Sequence, residues 1–574
     1  MHALGTMSGT SMDGVDIALL YIDENENIEE KGHISISYES ETKRLLRAAK
    51  YVVTKYEGNL MASRKHFSQA FKEYLKDECH LEEAAIPHEI SKLSTYLQGI
   101  DKVNKPITFD AIILHSTQLH ATAVEKFLKE KGFNPKDIDV VGYHGQTLFH
   151  RPSIGITIQI GDGKYLAERL GITVVNDFRS RDVASGGQGA PFAPLYHLDL
   201  AIRDHLIPTA VINCGGISNI TLITSKSAEN LVGFDIGSGI GLIDRFVRER
   251  TNDEEHLDKD GKYGNLGEVN EEVLAALYQK AIIKDGKNYF KMKPPKSLDY
   301  DDMNLIEELK QLSIKDGCRT LAAFTADTIV NSLELSDVKS LILAGGGWNN
   351  PVICQELKKR LKLKFGETVT IYTADEIGWN SQALEAQIFA SLAIRSLKNQ
   401  PISVPGTTGV PAPLSGGHAY IPSSGATKAV KELISVNPAV LRGYQEQKGA
   451  SQSANITRDK YQKVIPLSKI RGKHLIFNSQ REKANNKLSE IEKNIQTTYD
   501  LFTINPQYNY EIVGKANWLL EQTRRMLEEA VKIDDGIKWD KNGKYKRLEN
   551  EYNVLEKKIN DFVDHISYIP KYIS

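Results

Sequence analysis

The sequence has few cysteines. Only four occur in 574 residues, and no two of them form a C-x-x-C pair: Cys79, Cys214, Cys318 and Cys354. Neither a disulfide framework nor a structural zinc site is therefore indicated. The chain also lacks a run approaching about 18 apolar residues, and its start has neither a basic segment nor an apolar core of a signal peptide. These absences predict a cytoplasmic protein that does not enter a membrane.

Positive and negative residues are nearly balanced over the whole chain. The net charge is −2, and the composition of 41% hydrophobic and 25% charged residues is typical of a globular protein, whose length predicts more than one domain. The segment 424–574 is basic, with 26 Lys and Arg against 19 Asp and Glu. Its charges are interspersed, which favours solvated helical faces over nucleic-acid binding.

A glycine-rich stretch near the start organises the chain. Residues 5–16 hold three glycines, four hydroxyl residues and two acids between two strand-like runs, a pattern that predicts a β-hairpin. Glycine backbone and hydroxyl groups could cradle a phosphate, and Asp13 or Asp16 could hold a divalent cation through its waters. The stretch matches neither of the two common phosphate-binding glycine motifs. An ordinary hairpin turn remains the alternative.

A second unit of the same kind follows about 200 residues later. Residues 210–223 form a strand, a turn containing Gly215 and Gly216, and another strand, which suggests a duplicated α/β architecture that holds one phosphate chain from both sides. Chance similarity of two hairpins is the alternative. The glycines Gly345, Gly346 and Gly347 follow a buried strand and would let a flat ligand approach. Asp235 is expected in a glycine turn before a helix.

Polar side chains follow two further predicted strands. His144, Gln146 and Thr147 come after a short strand that begins near residue 138, and Asp177 follows the strand 172–175. An acid at a strand end, with Arg179 two residues later, is a plausible general base beside an anion-binding group. The candidate ligand-binding residues are His144, Gln146, Thr147, Arg179, Gln188 and Glu385. Each has a structural alternative, such as a buried histidine or a helix-capping acid.

The last part of the chain has a different composition. Residues 401–420 are rich in proline and glycine and show no helical or strand period, which predicts the end of the α/β body. Apolar residues then recur at helical spacing over 484–502, 512–530 and 545–562. Three amphipathic helices are expected there, with packing or partner binding as their role.

Nine segments together resemble one family, the anhydro-N-acetylmuramic acid kinases of the actin-like sugar kinase and heat-shock ATPase superfamily. They occur in the family's order over residues 1 to about 422: GTMSGTSMDGVD (5–16), HGQTLFHRP (144–152), QIGDG (159–163), VVNDFRSRDVASGGQGAPFAP (174–194), NCGGISNIT (213–221), DKDGKYG (258–264), PPKS (294–297), AGGGWNNP (344–351) and LEAQIFASLA (384–393).

The resemblance implies an α/β fold of two RNase H-like lobes with ATP between them and Mg²⁺ as cofactor. It implies that 1,6-anhydro-N-acetylmuramic acid, ATP and water give N-acetylmuramic acid 6-phosphate and ADP. Asp177 falls on the catalytic aspartate that activates the water. The ATP-binding segment falls on Gly9, Thr10, Ser11, Met12, Asp13, Gly14, Val15 and Asp16. We expect Gly215, Gly216 and Gly345–Gly347 to contact ATP as well, and Asp13 and Asp235 are the metal candidates.

The predicted domains are residues 1–130 with 384–422 as one lobe, 131–383 as the other, and 424–574 as a helical extension. Ser238, Ile240 and Gln382 depart from the family's pattern, which has Pro, Asn and an acid there. A levoglucosan-type kinase and a catalytically weakened nucleotide-binding scaffold are the alternatives to the main prediction. A homodimer, and a protein partner for 424–574, are compatible with the sequence.

Overall fold

The computed structural model of the chain describes residues 1–98, 106–283, 286–298, 302–335 and 337–441. The three amphipathic helices predicted beyond residue 480 lie outside the described residues. Among the helices that are described, none is both long and apolar enough to cross a membrane.

The described strands, in chain order, are β1 (His2–Ser8), β2 (Gly14–Ile22), β3 (Ile28–Ser37), β4 (Val140–Arg151), β5 (Ile156–Ile160), β6 (Thr173–Asn176), β7 (Thr209–Cys214), β8 (Ile217–Ile223), β9 (Val232–Ser238), β10 (Ser340–Ala344), β11 (Thr370–Thr373) and β12 (His418–Tyr420).

The described α-helices are α1 (Ser40–Lys55), α2 (Leu60–Lys65), α3 (Phe67–Asp77), α4 (Ile86–Gln98), α5 (Phe109–Lys131), α6 (Gly163–Leu170), α7 (Ser180–Ala184), α8 (Ala193–Arg203), α9 (Gly241–Arg250), α10 (Glu271–Gln279), α11 (Glu307–Lys310), α12 (Ile314–Ser332), α13 (Pro351–Phe365), α14 (Leu384–Leu397), α15 (Pro405–Thr408) and α16 (Lys428–Val436).

The strands form two sheets, and the two sheets are built alike. The first has the order β12-β6-β4-β1-β2-β3, with β5 paired to β4, and the second has the order β11-β10-β7-β8-β9. In each, three antiparallel strands (β1–β3 or β7–β9) continue into two parallel ones (β4 and β6, or β10 and β11). Both predicted hairpins are present at equivalent places, so the prediction of a duplicated α/β architecture is confirmed.

The predicted boundary between the lobes at residue 130 is wrong. Strands β4, β5 and β6 hydrogen-bond into the first sheet, so the chain leaves the first sheet between β6 and β7 and returns to it between β11 and β12. Strand β4 is also longer than predicted, because it continues through Arg151. His144, Gln146 and Thr147 therefore lie within a strand instead of following one.

Helix α14 packs closely on the first sheet. A β-carbon at Gly5 would lie 1.8 Å from the Ala386 carbonyl oxygen, and one at Gly142 would lie 1.9 Å from that of Phe389. Only glycine allows this approach. On the second sheet, Ile329 and Val330 of α12 and Leu357 of α13 form a buried core with the strands. The close packing of α14 brings its first turn, with Glu385, near the end of β1 and the start of β2, where Asp16 lies.

The α/β body extends further than the composition predicts. Strand β12, inside the proline- and glycine-rich segment, pairs antiparallel with β6. Helix α16 buries Val430 and Ile434, and the Asn437 side chain donates to the carbonyls of Ser396 and Leu397. Residues 1–440 form one compact unit, so the predicted boundary at 424 is too early.

Candidate active site

The buried side-chain amide of Gln146 hydrogen-bonds to the first hairpin turn. Gln146 is fully buried, its Oε1 accepts from Ser8 Oγ at 2.6 Å, and its Nε2 donates to the Gly9 carbonyl at 2.9 Å. Tyr38 donates to the same serine hydroxyl at 3.0 Å. The sequence predicts that Gln146 binds substrate, and in the structure both its amide oxygen and its amide nitrogen form hydrogen bonds with the turn. The exposed residues Thr10 and Ser11 at the tip leave backbone and hydroxyl donors facing solvent.

Of the two acids in this turn, Asp13 points away from the body and Asp16 points inward. Asp13 is paired with Lys43 of α1 at 3.3 Å, and most of its side chain is exposed. Asp16, on β2, accepts from Ser35 Oγ. Burial raises the pKa of Asp16, whereas Ser35 and the nearby His33 act in the opposite direction.

The second hairpin turn and the triple glycine lie side by side. The Gly215 and Gly216 carbonyls accept from the backbone at the start of α9, at 2.9 to 3.1 Å. A β-carbon at Gly347 would lie 2.5 Å from Cys214 Sγ, at the end of β7, whereas one at Gly346 would meet no atom within 4 Å. Gly347 is thus needed for packing, and Gly346 presents open backbone. The structure brings these predicted glycines together.

Glu385 connects the two hairpins. Its Oε1 accepts from the Asn213 side chain, on β7, at 3.3 Å. The side chain keeps contact with solvent, but the surrounding protein raises its pKa, and the charge of Asp16 adds to this. Two carboxylates that disfavour each other's charge fit a divalent cation, since Mg²⁺ is usually held by one or two carboxylates, waters and phosphates. No cluster of three or more His, Cys, Asp or Glu suited to a metal occurs among the described residues.

Asp177 leaves the end of β6 in a strained conformation. Its φ of +58° lies in the left-handed region, which non-glycine residues rarely adopt and which is common at functional sites. Ser180 Oγ donates to its Oδ1, and the side chain is 29% exposed. The carboxylate is therefore oriented and still reachable by a ligand.

Arg179 places a positive charge next to His144 and near the acids Asp235, Asp182 and Glu385. Its Nη1 donates to the Gly189 carbonyl at 2.6 Å and its Nη2 to His144 Nε2 at 3.1 Å. Because a guanidinium only donates, Nε2 of His144 must accept, and the ring hydrogen is on Nδ1. Burial, and next the charge of Arg179, lower the pKa of His144 well below its ordinary value. The imidazole is therefore neutral.

Asp235 lies in strand β9 and not in the predicted turn. It is buried, and its Oδ2 accepts from the Leu298 backbone at 2.8 Å. Burial raises the pKa of Asp235 to about 7, against the opposing effects of that hydrogen bond, Arg179 and Lys296. Burial in turn lowers the pKa of Lys296 to about 8. Asp235 faces Arg179 and Lys296, so it belongs to a buried charge cluster and is poorly placed as a metal ligand.

The remaining predicted residues flank this cluster. Gln188 accepts from Ser297 Oγ at 3.1 Å, which joins the loop after α7 to the loop before α11. Thr147 Oγ1, on β4, accepts a weak hydrogen bond from Gln159 Nε2, on β5, at 3.4 Å. Two buried polar atoms, Asn176 Oδ1 and Arg179 Nε, have no hydrogen-bond partner among the described residues. Such atoms beside Asp177 indicate a place for a polar ligand or water.

A small, open depression lies beside the second hairpin. Its wall includes Gly216, Ile217, Ser238, Gly241, Leu242 and Arg245.

Two further site residues were not predicted from the sequence. Lys296 lies in the segment PPKS (294–297), which resembles the family but suggests no role for the lysine. His418 lies in the irregular segment near residue 420 and shows no local pattern. His418 Nε2 lies 3.8 Å from Asp177 Oδ2.

Comparison with known proteins decides the family. The family model described as "Anhydro-N-acetylmuramic acid kinase" matches residues 97–422. The chain is 37% identical over 420 residues to a protein of that name from Methylorubrum populi, covering 72% of this chain and 98% of the relative. This chain belongs to the anhydro-N-acetylmuramic acid kinase family. It is therefore a kinase.

Other relatives of the same name agree. One from Zymomonas mobilis is 35% identical over 422 residues and covers 73% of this chain and 100% of the relative. Among solved structures, a ROK family glucokinase from Streptomyces griseus in complex with glucose and AMPPNP covers 69% of this chain and 100% of its own, with 14% identity and a TM-score of 0.30.

Two of the three departures from the family's pattern, Ser238 and Ile240, have structural explanations, and the structure offers none for Gln382. Ser238 Oγ accepts from the Leu242 backbone at 3.2 Å and so caps the start of α9. Ile240 packs against the core beneath the same helix. Gln382 is exposed beside α14, with its backbone bonded to Asn380 Oδ1 at 3.2 Å. Ser238 and Ile240 support the helix whose start holds the second hairpin turn.

Proposed function

We propose that this kinase opens the 1,6-anhydro ring of 1,6-anhydro-N-acetylmuramic acid with water and phosphorylates O6. The products are N-acetylmuramic acid 6-phosphate and ADP, and the reaction serves cell-wall recycling. The observation that carries the proposal is Asp177, an oriented and reachable carboxylate at the end of β6 in a family of kinases of this name. The names of the relatives do not favour a levoglucosan kinase or a scaffold.

Asp177 would act as the general base. It takes a proton from the water that attacks the anomeric carbon, the C1–O6 bond breaks, and O6 takes the γ-phosphoryl group. Arg179, charged at neutral pH even though burial lowers its pKa to about 10, would stabilise negative charge that develops on the sugar or phosphate. Neutral His144 fixes the direction of that guanidinium. Thr147, Gln188 and Glu385 are proposed to line the rest of the substrate and nucleotide site.

ATP would be held by both hairpin turns. Gly9–Asp16 and Gly216 would offer backbone donors to the phosphates, whereas the Gly215 N–H already donates to the Ile217 carbonyl at 3.1 Å. Open Gly346 would offer a surface for the nucleoside. Asp16 and Glu385 are the residues that would hold Mg²⁺, which neutralises phosphate charge during transfer when it is bound. Asp13 is less suited, because Lys43 already pairs with it.

We also propose that the two sheets belong to two lobes of one known fold. The shared strand order of the two sheets supports two RNase H-like lobes of the actin-like ATPase fold. The first would comprise β1–β6 with α14 and β12, and the second β7–β11. We also propose a cytoplasmic location, and a homodimer or a protein partner for the basic C-terminal segment as further properties of the chain.

The experiment is an ADP-release assay on the purified chain with Mg²⁺ and ATP. Reactions contain 1,6-anhydro-N-acetylmuramic acid, levoglucosan or no sugar. We expect release only with the amino sugar, and a product whose mass equals that of substrate plus water plus a phosphoryl group. ADP release with levoglucosan but not with the amino sugar would identify levoglucosan as the substrate. No ADP release with either sugar, while ATP still binds, would favour the nucleotide-binding scaffold.

A further inference from the structure

The short strand β12 brings a histidine to the proposed catalytic base. β12 pairs with β6 so that His418 lies opposite Asn176, the residue before Asp177. His418 Nε2 is 3.8 Å from Asp177 Oδ2, and the two side chains are 38% and 29% exposed. The second residue of β12, Ala419, is the one that is buried.

The two oxygens of the Asp177 carboxylate have different surroundings. Oδ1 accepts the hydroxyl hydrogen of Ser180, at the start of α7. Oδ2 faces the imidazole of His418 at a distance too long for a direct hydrogen bond. A proton that reaches the carboxylate is therefore best accepted by Oδ2, next to the imidazole, and a small side-chain rotation or one bridging water completes the path.

The proposed reaction leaves a proton at this carboxylate in every turnover. One hydrogen of the water stays on the new C1 hydroxyl and the other goes to Asp177, while O6 takes a phosphoryl group and needs no proton. The carboxyl must lose that proton before the next cycle. An imidazole is the better base, because its ordinary pKa of about 6.5 exceeds the ordinary carboxyl value of about 3.9. Bound substrate and nucleotide would separate Asp177 from bulk water.

We propose that His418 is a positioning residue that acts through Asp177. It accepts the proton that Asp177 has taken from water and so returns the carboxylate to its charged form. The O–H bond at Oδ2 breaks, the proton moves to Nε2 of His418, and the exposed imidazole then releases it to solvent. The inference rests on the proposed function, since only a reaction that activates water at Asp177 produces this proton.

The test compares His418→Ala with His418→Gln. We expect kcat of the alanine variant to fall about tenfold or more with KM for the sugar unchanged, as for loss of a proton-transfer group. Added imidazole should restore kcat of the alanine variant in proportion to its concentration. It should not restore the glutamine variant, whose side chain fills the space without accepting the proton. His256→Ala removes an exposed imidazole elsewhere and controls for effects of the added compound.

Two results would overturn the inference while leaving the proposed function intact. One is a kcat of His418→Ala equal to that of the unchanged chain. The other is a reduced kcat that imidazole does not restore in a variant with an unchanged melting temperature. If the unchanged chain releases no ADP with the anhydro amino sugar, the proposed function fails, and the inference fails with it.

Discussion

Asp235 should make the folded chain less stable as the pH rises, and replacing it with asparagine should remove this effect. The carboxyl lies among buried groups, and burial raises its pKa from 3.8 to about 7. Below about pH 4 the acid is protonated in both folded and unfolded chains, so it carries no penalty. Between about pH 4 and about pH 7 the unfolded chain releases the proton while the folded chain keeps it. Stability is lost across that range, and the full penalty applies above it.

The size of the effect follows from the two pKa values. At about 1.4 kcal/mol for each tenfold change in the equilibrium, the difference corresponds to about 4 kcal/mol at most. Water entry and local movement reduce such penalties, so we expect Asp235→Asn to be more stable by about 1 to 4 kcal/mol at about pH 8. The variant should match the unchanged chain near pH 4. The asparagine oxygen can still accept from the Leu298 backbone, as the aspartate does at 2.8 Å.

The assay is urea unfolding of both chains at about pH 4, about pH 6 and about pH 8. Asp253→Asn is the matched control, because Asp253 is exposed and has a φ of +63°, a conformation that asparagine also adopts. We expect the control to show no pH-dependent difference. A stability difference for Asp235→Asn that stays constant with pH, or that favours the aspartate at about pH 8, would refute the reasoning.

Two further predictions concern the ATP-binding turns. Gln146→Leu leaves the Ser8 hydroxyl and the Gly9 carbonyl without their buried partner, so ATP affinity measured by calorimetry should fall about tenfold. Gln159→Leu, on β5, should leave that affinity unchanged. An unchanged ATP affinity in Gln146→Leu would contradict the inference that Gln146 holds the first hairpin turn in its ATP-binding conformation. Gly347→Ala should lower the melting temperature, because its β-carbon would lie 2.5 Å from Cys214 Sγ, whereas Gly346→Ala should weaken ATP binding without affecting stability. Equal effects of the two substitutions on both properties would refute that distinction.

The features with strong local patterns could be predicted from the sequence. Glycine and hydroxyl residues between alternating apolar runs identified both hairpins, and a short β-branched run followed by Asp177 identified the end of β6. The triple glycine after β10 was identified in the same way. These signals are local because turn conformation and strand periodicity depend on neighbouring residues.

Other features depend on contacts between distant residues. The sequence gives no sign that β4 and β6 join β1, because parallel pairing is decided by the folded chain, and this misplaced the lobe boundary. The sequence predicts Gln146 as a ligand-binding residue, but it does not reveal that the amide hydrogen-bonds to Ser8 and Gly9. Strand β12 has only three residues and shows no periodicity, so its histidine beside Asp177 could not be predicted.

The most direct test of the central claim is Asp177→Asn. The amide keeps the size of the side chain and can still accept from Ser180, but it cannot take a proton from water. We predict that sugar-dependent ADP release falls at least about a hundredfold, while calorimetry shows ATP binding unchanged. Retained turnover would contradict the role of Asp177 as the base. Loss of ATP binding instead would mean that this carboxylate serves the nucleotide and not the water.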